Sequence, residues 1–136
     1  MTTVATALQE LGIQEWVLRG DPTDSAEFAT MFSKVIGADA NNSAIESKDP
    51  NDWGVTWTQV KAKKDELIAA EPMRLLRIER DRKLVETDFY ALADVTMADN
   101  MKTYRQALRD LPASATPKLK DDGSLDESSF TWPTKP

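Results

Sequence analysis

The sequence contains neither cysteine nor histidine. Without cysteine the chain cannot form a disulfide, offer a thiolate nucleophile or build a thiolate-ligated zinc site. Without histidine it has no Ser-His-Asp triad, and it lacks the usual general base for chemistry near neutral pH. Carboxylates, lysine, tyrosine, serine and threonine remain for catalysis, so the composition favours a role other than that of an enzyme.

Positive charge is scarce as well. The 17 lysine and arginine residues are outnumbered by 23 aspartate and glutamate residues, which gives a formal net charge of −6. Because phosphate contacts need a surplus of lysine and arginine, we expect no general affinity for nucleic acid or for an anionic membrane. The chain has no apolar run of the roughly 18 residues that a spanning helix needs, and its N-terminus lacks the basic start and apolar block of a signal peptide.

The 136 residues suffice for one domain, or for one domain with a small appendage. Composition and apolar periodicity divide the chain into three parts. We expect a small α/β lobe over residues 1–70, a helical hairpin over 71–112 and an extended arm, rich in proline and serine, over 113–136.

The predicted fold is mainly α with this small α/β N-terminal lobe. Apolar residues at helical spacing and the flanking stop signals predict helices over about 4–11, 25–36, 57–70, 72–86 and 97–111. β-branched and aromatic residues between two glycines predict a short strand over about 13–19, and Ile45 indicates a second strand beside it.

Side chains that can accept hydrogen bonds from backbone N–H groups mark the helix starts. Asp24 with Glu27, and Thr56 with Gln59, have the three-residue spacing of a capping box. Thr96 with Asp99 marks the start of the last helix in the same way. Pro72 separates the third and fourth helices, because proline has no N–H to donate within a helix.

The fourth helix has two apolar stripes rather than one. At 100° per residue, Leu75, Ile78 and Val85 lie on one side, whereas Met73, Leu76 and Leu84 lie nearly opposite. Two stripes predict packing on both sides, with the N-terminal lobe on one and the last helix or a partner on the other. The arm also carries Phe130 and Trp132, so we expect residues 130–133 to dock as an extended strip on this molecule or on another.

Other candidate sites have simpler explanations. The stretch from Asp39 to Ser43 has a faint likeness to a calcium loop, but alanine replaces the required glycine and proline replaces the bidentate glutamate. Turn and capping roles account for the paired carboxylates. The basic row of Arg74, Arg77, Arg80 and Lys83 either grips an acidic partner or pairs with nearby carboxylates, and the second explanation is favoured.

Three segments between Arg77 and Pro112 give the sequence a family resemblance: RDRKL at 80–84, ETDF at 86–89 and YRQALRDLP at 104–112. They resemble the phage tail assembly chaperone family, and WPTKP at 132–136 is similar to the ends of such proteins. The family commonly has tryptophan where this chain has Phe89. The segment EWVLRG at 15–20 is similar to stretches in short, tail-fibre assembly-like proteins of cyanobacterial phages.

The resemblance implies a role in the phage tail without a defined mechanism. We expect a protein that binds a tail-fibre or baseplate protein, aids assembly in the host cytoplasm and either leaves or stays in the virion tail as an adaptor. A homo-oligomer is compatible with this role. The alternatives are a small hydrolase that uses two carboxylates and a regulatory protein that binds a host factor.

We assign no catalytic, cofactor-binding or metal-binding residue. Arginines are expected to donate charge-assisted hydrogen bonds to a partner, and aromatic rings are expected to anchor it. The predicted partner-binding residues are Arg77, Arg80, Tyr104, Arg105, Arg109 and Trp132.

Overall fold

The computed structural model describes residues 2–136, and the chain divides into two compact units, Met1–Ala69 and Ala70–Pro136. Helices predominate, and a three-stranded antiparallel sheet lies in the N-terminal unit. This architecture confirms the predicted fold class, a mainly α chain with a small α/β N-terminal lobe. Across the described residues, none of the helices has both the length and the apolar character needed to cross a bilayer.

The N-terminal unit holds two short helices, three strands and the first part of a long helix. The sheet has the order β1-β2-β3, so β2 is its central strand. The elements in chain order are α1 (Val4–Glu10), β1 (Trp16–Leu18), α2 (Ser25–Met31), β2 (Phe32–Ala38), β3 (Ala44–Ser47) and the start of α3 (Trp57–Val85).

The helix predicted over 25–36 ends early, because its second half is β2. Asp24 caps α2 as expected by accepting the N–H of Glu27, but the helix stops at Met31. From Phe32 onward the backbone pairs with β1 on one side and β3 on the other; Lys34, for example, lies opposite both Trp16 and Ser47. Strand pairing on two sides outweighs the local helical period of the apolar residues.

The other strands differ from the expectation in detail. β1 covers three residues where seven were predicted, and β3, which contains Ile45, pairs with β2 rather than with β1. The calcium-like stretch is the turn between β2 and β3. There the carboxylate of Asp39 accepts hydrogen bonds from the N–H groups of Asn41 and Ser43, as in an ordinary Asx turn.

Stacked aromatic rings form the centre of the N-terminal core. The rings of Phe28 and Phe32 stack with their centroids 4.8 Å apart, and Trp53 meets both edge-on at 5.4 and 5.3 Å. Aromatic pairs in these geometries stabilise the fold beyond the free energy gained by burying their apolar surface. The buried cluster comprises Val4, Ala7, Leu8, Phe28, Phe32, Trp53, Val55 and Val60.

The helices predicted over 57–70 and 72–86 are one continuous helix, α3. It starts where the capping box places it: the Thr56 N–H donates to the side-chain oxygen of Gln59, and the Gln59 N–H donates to the hydroxyl oxygen of Thr56. Pro72 lies inside it and leaves the carbonyl of Ile68 without its usual donor. Proline fixes a φ that suits a helix, and the intact turns on either side keep the chain helical at a local cost of about 3 kcal/mol.

The C-terminal unit holds the rest of α3, then α4 (Asp99–Ser114) and a small hairpin of β4 (Lys118–Leu119) and β5 (Leu125–Asp126). α4 starts two residues later than predicted and has no side-chain cap, so Thr96 does not cap it. It also continues past Pro112 to Ser114. The arm is therefore extended only in part, because Gly123, at a φ of 82°, lets residues 120–124 turn back between β4 and β5.

The C-terminal core lies on the inward face of α4. Met101, Tyr104 and Leu108 are its buried members, as the spacing along the helix predicts. The partly buried residues packed against them are Leu84, Tyr90, Met97 and Trp132. These come from the end of α3, the turn after it, the segment before α4 and the C-terminal segment, so the cluster joins these four parts to α4.

Candidate protein-binding site

The two apolar stripes on the second half of α3 have different environments. Leu76 is completely buried, and Leu84 packs on the C-terminal core. On the other side Ile78 is 54% exposed and Val85 is 68% exposed. We call Leu75, Ile78 and Val85 the open stripe. Isolated apolar residues are common on protein surfaces, but a row along one helix face is typical of a contact surface.

The open stripe continues into an apolar groove of the C-terminal unit. Leu75 and Ile78 form one wall of this groove, and Leu125 of β5 contributes to the other. Its volume is about 440 Å³, and Glu79 and Glu127 supply acidic groups at its edge. Beyond α3, the turn at Asp88–Ala91 adds Phe89, which is 52% exposed, and Leu92 follows at 58%.

The basic row along α3 mostly pairs with carboxylates of the same helix. Arg74 binds Glu71 at 2.6 Å and Arg80 binds Asp81 at 2.7 Å, while Lys83 lies 4.0 Å from Glu79. Exposed pairs of this kind add little stability.

Arg77 differs from its neighbours in the row. It is exposed, and within residues 2–136 it forms no ion pair. Its guanidinium is therefore available to a partner.

Arg105 is a buried cation with partners inside the chain. Its side chain is 8% exposed. Its Nη1 donates to the carbonyl of Leu84 at 2.9 Å and to Oγ1 of Thr87 at 2.6 Å, and its Nη2 donates to Asp88 at 2.9 Å. Arg105 thus ties α4 to the end of α3 and to the turn that follows, where Thr87 is also completely buried.

Arg105 also lines a cavity of about 440 Å³ beside α4. Lys102, Arg105 and Arg109 supply three cationic side chains at the spacing of one helix face. The cavity, which we call the basic cavity, is lined by Ala91, Met97, Lys102, Thr103, Arg105, Gln106 and Arg109. No carboxylate is among these residues, so every charged side chain of the lining is positive, whereas the chain as a whole has a net negative charge.

The cations of the basic cavity differ in how far they are neutralised. Lys102 lies 3.2 Å from Asp99, and Arg105 pairs with Asp88. Arg109 is exposed, and no ion pair involves it in the part of the chain that the structure describes. An anion in the cavity would therefore meet Arg109 without displacing an acidic side chain.

The C-terminal segment docks on its own unit. Trp132 packs against the C-terminal core, and the Phe130 ring meets it edge-on with centroids 4.9 Å apart. The ammonium group of Lys83 lies 5.0 Å from the centre of the indole ring, which is a favourable cation–π distance. Lys135 is 3.8 Å from Glu86. The strip expected over residues 130–133 therefore binds this molecule.

The predicted contact residues fall into three groups. Arg77 and Arg80 lie on α3, and Arg77 is exposed while Arg80 is half-buried. Arg105 and Arg109 meet at the basic cavity. Tyr104 belongs to the C-terminal core, where burial raises the pKa of its hydroxyl, and Trp132 packs against that core.

Five residues of the basic cavity were missed from the sequence: Ala91, Met97, Lys102, Thr103 and Gln106. A signal for two of them exists. Positions 102, 105, 106 and 109 follow one another at spacings of three or four along α4, so they share a face. Met97 precedes the helix, and its place depends on how the loop between α3 and α4 folds back.

Comparison with known proteins supports one relationship. Residues 73–136 match the family model described as phage tail assembly chaperone protein. This confirms the resemblance inferred from the segments between residues 77 and 136, and it supports a role in phage tail assembly. The match covers nearly all of the C-terminal unit, which holds the open stripe and the basic cavity. No curated protein and no solved structure matches the chain significantly.

Proposed function

We propose that this chain, whose residues 73–136 match the phage tail assembly chaperone family, binds a tail-fibre or baseplate protein and thereby promotes assembly of the tail. The family match carries the proposal, because it is independent of the surface features. The chain binds non-covalently to an exposed surface of the partner and covers it until that surface is buried in the growing tail.

The exposed apolar residues of the C-terminal unit support a protein partner. Ile78, Val85, Phe89 and Leu92 are each more than half exposed and lie along α3 or just after it. Burying such a surface on a partner gains about 25 cal/mol per Å² of apolar area. A protein that shields the apolar surface of an unassembled tail component needs an open apolar surface of its own.

The proposed contact residues have different roles, which depend on where they lie. Arg77 on α3 and Arg109 on α4 donate charge-assisted hydrogen bonds to carboxylates or carbonyls of the partner. Arg80 supports the α3 side through its pair with Asp81. Tyr104 and Trp132 support the partner-binding surface from the core, where their packing holds α4 and the C-terminal segment in place. Arg105 holds α4 to the end of α3 and also lines the basic cavity, where its remaining donors face the partner.

The proposal places the chain in the host cytoplasm during assembly. Two fates of the chain are compatible with the proposal, and they differ in the number of copies in the finished virion. A chaperone is released before the particle is complete, whereas an adaptor stays in the tail at a copy number set by tail symmetry.

Mass spectrometry of purified virions from the source phage tests the proposal, together with affinity purification of the chain from infected cells. Either a symmetric copy number in virions or co-purification with a fibre or baseplate protein is expected. The first result identifies an adaptor and the second, without the first, identifies a transient chaperone. Absence from virions combined with recovery of host proteins alone would refute the tail role and favour a regulatory protein.

A further inference from the structure

The basic cavity is a concentration of positive charge on an acidic protein. It is lined by Lys102, Arg105 and Arg109 and by no carboxylate, whereas the chain carries a net charge of −6. Resting on the proposed function, we propose that the basic cavity binds an acidic segment of the phage tail protein, with a glutamate or aspartate side chain of that segment inside the cavity.

Arg105 supplies fixed donors for the carboxylate. A guanidinium has five N–H groups, and Arg105 uses three of them on Leu84, Thr87 and Asp88. The Nε–H and one Nη2–H remain. Since the side chain is already buried and held by its partners, it loses little conformational entropy when a ligand binds.

Arg109 and the neutral residues complete the ligand environment. Arg109 adds a second guanidinium that is free of ion pairs within residues 2–136. Gln106 and Thr103 offer neutral hydrogen-bonding groups, although the Gln106 amide also donates to Asp110 at 2.9 Å. Ala91 and Met97 line the cavity with apolar surface. The cavity therefore suits an acidic side chain that is followed by a small apolar residue.

Charge and size favour a peptide over a nucleic acid. A nucleic acid presents a phosphate at every step, so its binding needs an extended basic surface. Here the cations are confined to one cavity of about 440 Å³, and the carboxylates Asp88, Asp99 and Asp110 surround it through their bonds to its lining residues. Because Asp88 and Asp99 pair with Arg105 and Lys102, Arg109 is left as the cation of the lining without an ion pair within residues 2–136. One unpaired cation matches a single peptide carboxylate better than a chain of phosphates.

NMR of the full-length chain tests the inference directly. The probes are the peptide acetyl-Gly-Glu-Ala-Gly-amide, its glutamine counterpart and a short oligothymidylate. The glutamate peptide should shift the side-chain Nε–Hε signals of Arg105 and Arg109, and the glutamine peptide should not. R109Q should weaken the binding about tenfold, the loss of one charge-assisted contact. K120Q, which removes an exposed cation of the same unit outside the cavity, should leave it unchanged.

Three results would overturn the inference: no shift with the glutamate peptide, equal shifts with both peptides, or tighter binding of the oligothymidylate. Affinity purification from infected cells separates this failure from failure of the proposed function. If the wild-type chain and R109Q recover the same tail protein equally well, the acidic-segment inference is wrong and the tail role stands. If the wild-type chain recovers no tail protein while the glutamate peptide still binds, the tail role fails, and only the carboxylate site is retained.

Discussion

Arg105 connects three segments of the C-terminal unit through one side chain. Its hydrogen bonds reach the last turn of α3, the turn after it and the exposed carboxylate of Asp88. A cation beside the C-terminal carbonyls of a helix is also favoured by the helix dipole. Arg105 therefore both stabilises the fold and shapes the wall of the basic cavity.

We expect R105A to lower the free energy of unfolding by about 3 kcal/mol, because it removes hydrogen bonds to a charged group and leaves a buried space. R105K should lie between R105A and the wild type, since an ammonium cannot reproduce the planar fork. Urea denaturation measures both variants. R109A is the matched control on the same helix and should stay within about 0.5 kcal/mol of the wild type. Equal losses for R105A and R109A would contradict this role.

The sequence indicates which residues could contact a partner, but it does not indicate whether each of them is buried. Arg105 and Arg109 occur in one segment, YRQALRDLP, and both were predicted to meet a partner. Their difference depends on Thr87 and Leu84, about twenty residues away along the chain. No local pattern identifies such a long-range hydrogen bond. Whether either residue contacts a tail protein stays a prediction.

At the scale of elements, long-range pairing and tolerance of proline explain the differences from the predicted fold. Helix starts at Asp24 and Thr56 have local capping signals, and the structure confirms both. β2 has no comparable signal. Phe28, Met31 and Phe32 fit a helical stripe, and only the pairing with β1 and β3 makes residues 32–38 a strand.

Pro72 in the middle of α3 weakens the helix at that point. In P72A the new N–H can donate to the carbonyl of Ile68, so we expect the free energy of unfolding to rise by about 2 kcal/mol, after the extra freedom of the unfolded chain is subtracted. Amide hydrogen exchange should slow over residues 70–76.

P117A is the control for this prediction. Pro117 lies outside the helices, so its replacement restores no helical bond and should lower stability slightly. If P72A were no more stable than the wild type, the packing around Pro72 would have to depend on the proline ring.

At the scale of the whole molecule, residues 2–136 form two cores rather than one. Phe28 packs with Phe32, Trp53 and Trp57, all of the N-terminal unit. Leu108 packs in a cluster whose members all belong to the C-terminal unit. Each core buries its own set of side chains, and the family match covers only the second of them.

Two substitutions test this separation, and each is the control for the other. F28A and L108A should each cost about 3–5 kcal/mol, because each leaves a cavity in a fully buried site. Hydrogen exchange followed along the chain should be faster within residues 2–69 for F28A and within 70–136 for L108A. Uniform acceleration over the whole chain by either variant would show a single cooperative unit.

The docked C-terminal segment also contains an intrinsic fluorescence probe, Trp132. Trp16, Trp53 and Trp57 precede residue 70, so Trp132 is the single indole of the C-terminal unit. With the first three replaced by phenylalanine, the tryptophan fluorescence of the chain would come from Trp132 alone. Its emission would be blue-shifted while the ring packs against the C-terminal core and red-shifted after release into water. Undocking of the C-terminal segment could then be followed by fluorescence, with no dye attached to the protein.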